Sequence, residues 1–226
     1  MTIDQQGSRR VGDRVDRLLA DLAPFVAAVE RAPRVIRAFE RTVGDEVQAV
    51  VDSAEVVVEI ALHVLRLGGW SVGIGAGVVD HPLPVTSRAG SGPAFVHARD
   101  AVEAAKTRSH AVPLAVRGHV AAPAAEAEGV LTLIGAIAAR RSAAGWAVID
   151  VLLADGTGEG AVRQEDVAAR LGITQQAVSQ RLRTALWAEE RAARPAAVRL
   201  LRLAAGSADA PAPAVPADAH NDEVVA

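Results

Sequence analysis

The stretch "RVIRAFERTVGDEVQAVV", Arg34 to Val51, decides the class of fold. Its first half is β-branched and partly alternating, Gly44-Asp45 interrupts it, and "EVQAVV" resumes the pattern. Two β-rich runs around a Gly-Asp pair predict a hairpin, because glycine accepts the positive φ of a tight turn. Upstream, Val15, Leu18, Leu19, Leu22 and Val26 recur at helical spacing. Downstream, "SAEVVVEIALHVLRLGG" reads as a helix, with Ser53 as its N-cap and Gly68 as its stop. "WSVGIGAGVV" then reads as a strand, "SGPAFVHARDAVEAAKTR" as a helix and "AVPLAV" as a short strand. This succession predicts an α+β domain over residues 1–118, with a mainly antiparallel, ferredoxin-like sheet and helices on one face.

The strand "WSVGIGAGVV" places Gly73, Gly75 and Gly77 on one side and Val72, Ile74, Ala76 and Val78 on the other. Glycine weakens a strand, so a row of glycines needs a cause. Close packing of a helix is one, and close approach of a ligand is the other. The pattern is not a dinucleotide fingerprint, because no helix opens at these glycines.

Beyond the first domain, residues 119–128, "HVAAPAAEAE", read as a linker or the lead-in to a helix. Residues 129–205 read as an all-helical domain. Residues 206–226 are rich in Pro, Ala and Asp without periodicity, and read as a disordered acidic tail. The chain has no Cys, which excludes disulfides, thiolate metal sites and a Cys nucleophile. Its six His show no zinc-binding spacing. Aromatics are 3 % of the chain, so small side chains must build the core. No uninterrupted apolar run approaches the ~20 residues that span a bilayer. The N-terminus is polar and unlike a signal peptide, so a cytoplasmic location away from membranes is expected.

Charge is unevenly spread. Residues 161–205 hold eight Arg against four acids, while residues 206–226 hold four acids and no Lys or Arg. A basic module beside an acidic tail points toward nucleic acid. Within that module, "QEDVAARLGITQQAVSQRLRTAL", Gln164 to Leu186, predicts two helices. Val167, Ala168 and Leu171 share one face of the first, and Gly172 ends it. Thr174 caps the second, with Ile173 and Val178 as a hydrophobic staple, and Val178, Leu182 and Ala185 turn inward. Gln175, Gln176, Ser179, Gln180 and Arg183 fall within an arc of about 140°. Gln and Arg hydrogen-bond base edges, and such a face in the major groove is what helix-turn-helix recognition requires. Thr174, Gln175, Gln176, Ser179, Gln180, Arg181 and Arg183 are therefore the candidate contacts to double-stranded DNA. Arg163 and Arg170 are further candidates for phosphate contacts. Trp146, Val148, Ile149 and Leu152 are expected to complete the core beneath. Val198, Leu200, Leu201 and Leu203, beyond a helix break at Pro195, are expected to support a homodimer.

The spacing of Ala168, Gly172 and Val178, followed by "SQRL", resembles bacterial helix-turn-helix regulators. The hairpin "RTVGDEVQAVVDS" resembles that of class III nucleotide cyclases, whose Gly-Asp tip supplies one metal-binding carboxylate. The other comes from a D-x-x-G pattern, which "DQQGSRR" at Asp4 to Arg10 fits. The set "DQQGSRR", "VGDEVQ", "GIGAG", "SGPAFVHARDAVEAAK" and "QEDVAARLGITQQAVSQRL" together resembles the bacterial SatD family over residues 4–205. That resemblance implies a degenerate cyclase-like palm fused to a helix-turn-helix. It implies Mg²⁺ at Asp4 and Asp45 and nucleotide contact at Arg99. Phe95 stands where the cyclases place an Asn, and the lone lysine, Lys106, is not suited to purine selection. Only three residues precede Asp4, so the first strand of the sheet is expected to be missing. The function expected is DNA-binding transcriptional regulation with a non-catalytic sensor or dimerisation domain. The alternatives are a Mg²⁺-dependent, cyclase-like nucleotide enzyme and a protein-binding adaptor.

Overall fold

The computed structural model describes residues 1–30, 35–107, 111–154 and 163–206, with the side chains of residues 24–30 and 35 left aside. The predicted acidic tail lies, but for Gly206, outside the described residues. The hairpin forms as β2 (Val35–Arg41) and β3 (Glu46–Val51). Gly44 turns with φ 64°, and the Thr42 amide donates to the Glu46 carbonyl at 2.9 Å.

The first strand is present, contrary to expectation. Residues Thr2–Gln5 form β1, which pairs antiparallel with β3 on one side and with β4 (Trp70–Ala76) on the other. Four residues suffice because both neighbours supply backbone partners, and Ile3 is fully buried at the sheet centre. The strand order is β2-β3-β1-β4-β5, with β5 (Leu114–Gly118) parallel to β4. The sheet is therefore mixed, and the fold is α+β.

Helices cover both faces, not one. On the first face lie α2 (Val15–Glu30) and α3 (Ala54–Leu67), after the short α1 (Ser8–Val11). Val15, Leu18 and Leu22 of α2 join Ile60 and Val64 of α3 over Ile3, Val72 and Ile74. Ser53 caps α3 by accepting from the Val56 amide, and Gly68 ends it, as predicted. The opposite face receives α4 (Pro93–Ala105), which lies directly on the glycines of β4. An added Cβ at Gly73 would sit 2.3 Å from the Val102 amide nitrogen, and one at Gly75 would sit 2.1 Å from the Ala94 carbonyl oxygen. Helix packing thus accounts for Gly73 and Gly75. Gly77, with its nearest neighbours at 3.7 Å, is not required by packing.

Of the two readings of residues 119–128, linker or lead-in to a helix, the helix forms. The segment Ala121–Ala139 forms α5, which places Ala124, Ala127, Leu131 and Ile134 in the main core. Its Glu128 accepts from the Val116 amide at 2.8 Å and so satisfies one donor on the outer edge of β5. This is the one described helix long and apolar enough to cross a membrane, although a side of it packs into the core. The last helix, α9 (Trp187–Ala204), runs through Pro195 unbroken and adds Ala197, Val198, Leu201 and Ala204 to the same core. The leucine-rich face expected to dimerise is largely used within the chain. The boundary near residue 118 therefore does not divide the core. Instead, α6 (Ala143–Ala154), α7 (Gln164–Leu171) and α8 (Gln175–Thr184) are an insertion between α5 and α9 with small cores of their own.

Candidate functional site

In the inserted unit, Gly172 ends α7 in the left-handed region, at φ 62°, and lets the Ile173 amide reach back to the Ala168 carbonyl at 3.0 Å. Thr174 caps α8, its hydroxyl accepting from the Ala177 amide at 3.1 Å. Ile173 and Val178 meet in one cluster with Val148, Val167 and Ala168, so the staple forms. Trp146, Ile149 and Leu152 pack against Ala185 and Trp187, as expected for the layer beneath.

With one face so anchored, the other is open. Gln175, Gln176, Gln180 and Arg183 are exposed, and Ser179 is half-buried among them. The Arg183 guanidinium donates to Ser179 Oγ and to Gln180 Oε1, both at 2.7 Å. The strip is thus tied together by bonds within α8 alone. Arg181 is half-buried and lies about 100° off the strip. Thr174 is exposed, with its oxygen engaged in the cap. Arg163 and Arg170 are exposed at the two ends of α7, where Arg163 pairs with Glu165 at 3.5 Å.

The seat of the unit was not foreseen in the sequence. Arg141 follows α5 and is 1 % exposed at its side chain, and it forms an ion pair with Glu190 of α9, itself 2 % exposed. Arg141 Nε donates to the Ala185 carbonyl at 2.8 Å, and the guanidinium lies 5.0 Å and 5.5 Å from the rings of Trp146 and Trp187. Arg194 adds a second charge contact to Glu190 at 2.5 Å. On the outside, Arg66 of α3 grips Asp150 of α6 with two bonds of 2.5 and 2.8 Å and stacks 3.9 Å over Trp146. One arginine and one glutamate far apart in sequence carry no local signal of pairing; only the apposition of α5 and α9 reveals it.

The second candidate lies at the end of β1. A cleft of about 840 Å³ is lined by Asp4, Arg9, Arg10, Arg14 and Lys106, among others. Asp4 is placed there by β1, but its partner is Lys106, whose Nζ lies 3.1 Å from Oδ2. Burial, aided by the nearby charges of Asp45 and Glu46, raises the Asp4 carboxyl above its usual value although Lys106 acts to lower it. Burial pulls on Lys106 too, yet Glu103 and Asp4 together raise it. The pair is asymmetric because Asp4, at 15 % exposed, bears more of the desolvation than Lys106, at 34 %. Asp45 is half-buried at the hairpin tip and close enough to repel the Asp4 charge, but it does not line the cleft. Arg99 is exposed on α4, roughly two turns before Lys106, and is not among the lining residues. Phe95 packs its ring under Gly90.

Mg²⁺ takes oxygen ligands and favours an anionic site. Here one carboxylate already holds an ammonium, the other stays outside the cleft, and three arginines line the cleft beside the first. Among the described residues no group of three or more His, Asp or Glu is arranged to hold a metal ion. The residues do not fit Mg²⁺ in this arrangement. No sequence pattern marks Lys106, Arg9, Arg10 and Arg14 as parts of one site, although "GSRRVGDR" directly after the strand carries three of the four.

Comparison with curated proteins returned no match, and neither did comparison with solved structures. The model of the SatD family matches residues 20–198, from α2 to α9, beginning after the Asp4 motif. The chain belongs to the SatD family.

Proposed function

We propose that this chain is a cytoplasmic DNA-binding transcriptional regulator in which α7 and α8 act as a helix-turn-helix on double-stranded DNA. The observation that carries the reading is the exposed strip Gln175, Gln176, Ser179, Gln180 and Arg183 on a helix whose opposite face is fixed by its own core. Gln pairs bidentately with adenine and Arg with guanine in the major groove. In this reading Arg163 and Arg170 of α7 meet the phosphate backbone beside the groove. The bonds from Arg183 to Ser179 and Gln180 hold the strip in order before DNA arrives, and they exchange for base contacts on binding.

The N-terminal sheet serves in this proposal as a non-catalytic, cyclase-palm-like domain that senses a ligand or joins two copies. Its β-α-β-β-α-β beginning and the order 2-3-1-4 of its first four strands favour a ferredoxin-like relationship. A cyclase-like enzyme has less support, since Arg99 and Asp45 stand outside the cleft that holds Asp4. The coupling of sensor to reader would run through Arg66–Asp150, which joins α3 to α6 of the inserted unit, and through Arg141–Glu190, which ties the end of α5 to α9 at the base of that unit.

The test is fluorescence anisotropy of labelled duplex DNA with the full chain over a range of salt. Binding should weaken steeply with salt as counterions are released. Arg183→Ala and Gln180→Ala should each cost about 1–3 kcal/mol on a preferred sequence. No binding at low salt, or binding indifferent to both substitutions, overturns the proposal.

A further inference from the structure

The cleft at the end of β1 has a charge pattern that the DNA reading does not use. Four cations line it: Arg9 and Arg10 of α1, Arg14 just before α2, and Lys106 beyond α4. The carboxylate among them, Asp4, is already paired with Lys106. Arg9 and Arg10 are exposed and Arg14 half-buried, and none of the three forms an ion pair with a carboxylate among the described residues. Arg14 instead lies 5.9 Å from the Trp70 ring centroid, its Nη1 over Gly69, where an added Cβ would meet it at 3.0 Å.

Cations gathered around one concavity give it a positive potential that favours entry of an anion. Guanidinium forks match the paired oxygens of phosphoryl groups, and the volume suits a small molecule. We infer that the cleft binds a phosphate-bearing small anion directly through Arg9, Arg10, Arg14 and Lys106, with no divalent cation between protein and phosphate. Lys106 has a double role. Its ammonium lies 3.1 Å from Asp4 and donates to Glu103 at 2.7 Å, so a carboxylate that would repel the ligand is screened, and one ammonium hydrogen is left over for an anion.

The probes are inorganic pyrophosphate and ATP, titrated calorimetrically into the full chain in EDTA and again in excess Mg²⁺. Binding is expected in EDTA, and Mg²⁺ should weaken it by competing for the phosphates. Equal affinity for both probes assigns recognition to the phosphates alone. Tighter ATP binding assigns part of it to the nucleoside and equally supports the site. Charged hydrogen bonds are worth about 1.5–3 kcal/mol each, so Arg9→Ala/Arg10→Ala should weaken binding at least about tenfold. Both residues are exposed, and the fold should survive. Asp4→Asn separates the two modes: direct binding is kept or tightened, whereas a metal-bridged site loses it. No binding of either probe in EDTA at low salt overturns the inference. So does binding that requires Mg²⁺, that fails in Asp4→Asn, or that is unmoved by the double substitution.

Discussion

Gly75→Ala isolates the contact that sets the position of α4. The added Cβ would lie 2.1 Å from the Ala94 carbonyl oxygen, 2.3 Å from the Ala98 nitrogen and 2.8 Å from the Ala98 Cα. Ordinary contact begins at 3.4 Å, so the closest approach is short by about 1.3 Å. All three atoms are backbone, and no rotamer change relieves them. The helix would have to lift off β4, loosening the buried faces of Ala98, Ala101, Val102 and Ala105. Over-packing a dense core costs about 1–3 kcal/mol, and a backbone obstacle places this case at the upper end, near 3 kcal/mol. For a chain of this size that is a fall in Tm of roughly 6–12 °C. Urea titration followed by circular dichroism should show a lower midpoint at an unchanged slope. Gly129→Ala is the matched control: nothing lies within 4 Å of its added Cβ. In mid-helix that change should gain about 0.5–1 kcal/mol. A Gly75→Ala protein within about 0.5 kcal/mol of the parent would show that α4 is not seated on the glycines, and would refute the reasoning.

Other perturbations address the inserted unit and the cleft. Glu190→Gln leaves Arg141 buried and unpaired and should cost about 3 kcal/mol by urea titration, with Arg141→Met/Glu190→Leu recovering most of it. If Glu190→Gln is neutral, the pair does not hold the unit. Thr174→Ala should cost about 1 kcal/mol and speed amide exchange in α8 while leaving α3 unchanged; uniform exchange would mean the unit does not open separately. The Asp4 carboxyl is raised above its usual 3.8 in the folded state. The folded chain therefore holds an extra proton just above that value, and stability falls as pH rises through the interval. Asp13 acts in the opposite sense, since Arg41 lowers it and its contribution is lost as pH falls through the folded value. The difference between parent and Asp4→Asn should show the falling component alone, and identical pH profiles would exclude it.

Periodicity and turn chemistry made much of this protein legible. Ser53, Gly68, Gly172 and Thr174 act at the helix ends they predicted, because caps and stops depend on a few neighbouring residues. The hairpin at Gly44 and the buried face of α8 follow from the same local rules. Three readings turned on contacts that are remote in sequence. β1 was read as lost because few residues precede Asp4, yet its partners Val47 and Val72 come from distant strands. The stretch 119–128 reads as a linker or the lead-in to a helix because Ala, Pro and Glu suit both; burial of Ala124 and Ala127 against the core decides for helix and against the linker. The succession of elements predicts helices on one face, and the glycine row admits a helix or a ligand against it; the seating of α4 on Gly73 and Gly75 places a helix on the second face.

Asp4 separates the two kinds of information most sharply. The D-x-x-G pattern of "DQQGSRR" marks Asp4 as a candidate carboxylate beside two arginines, since that pattern is local. The sequence by itself could not determine what that carboxylate would meet. Lys106 lies 102 positions away and arrives because α4 packs on Gly73 and Gly75, which fixes where the helix ends. Charge pairing depends on distances of a few ångströms between residues far apart in the chain, and those distances exist only after the helices are docked.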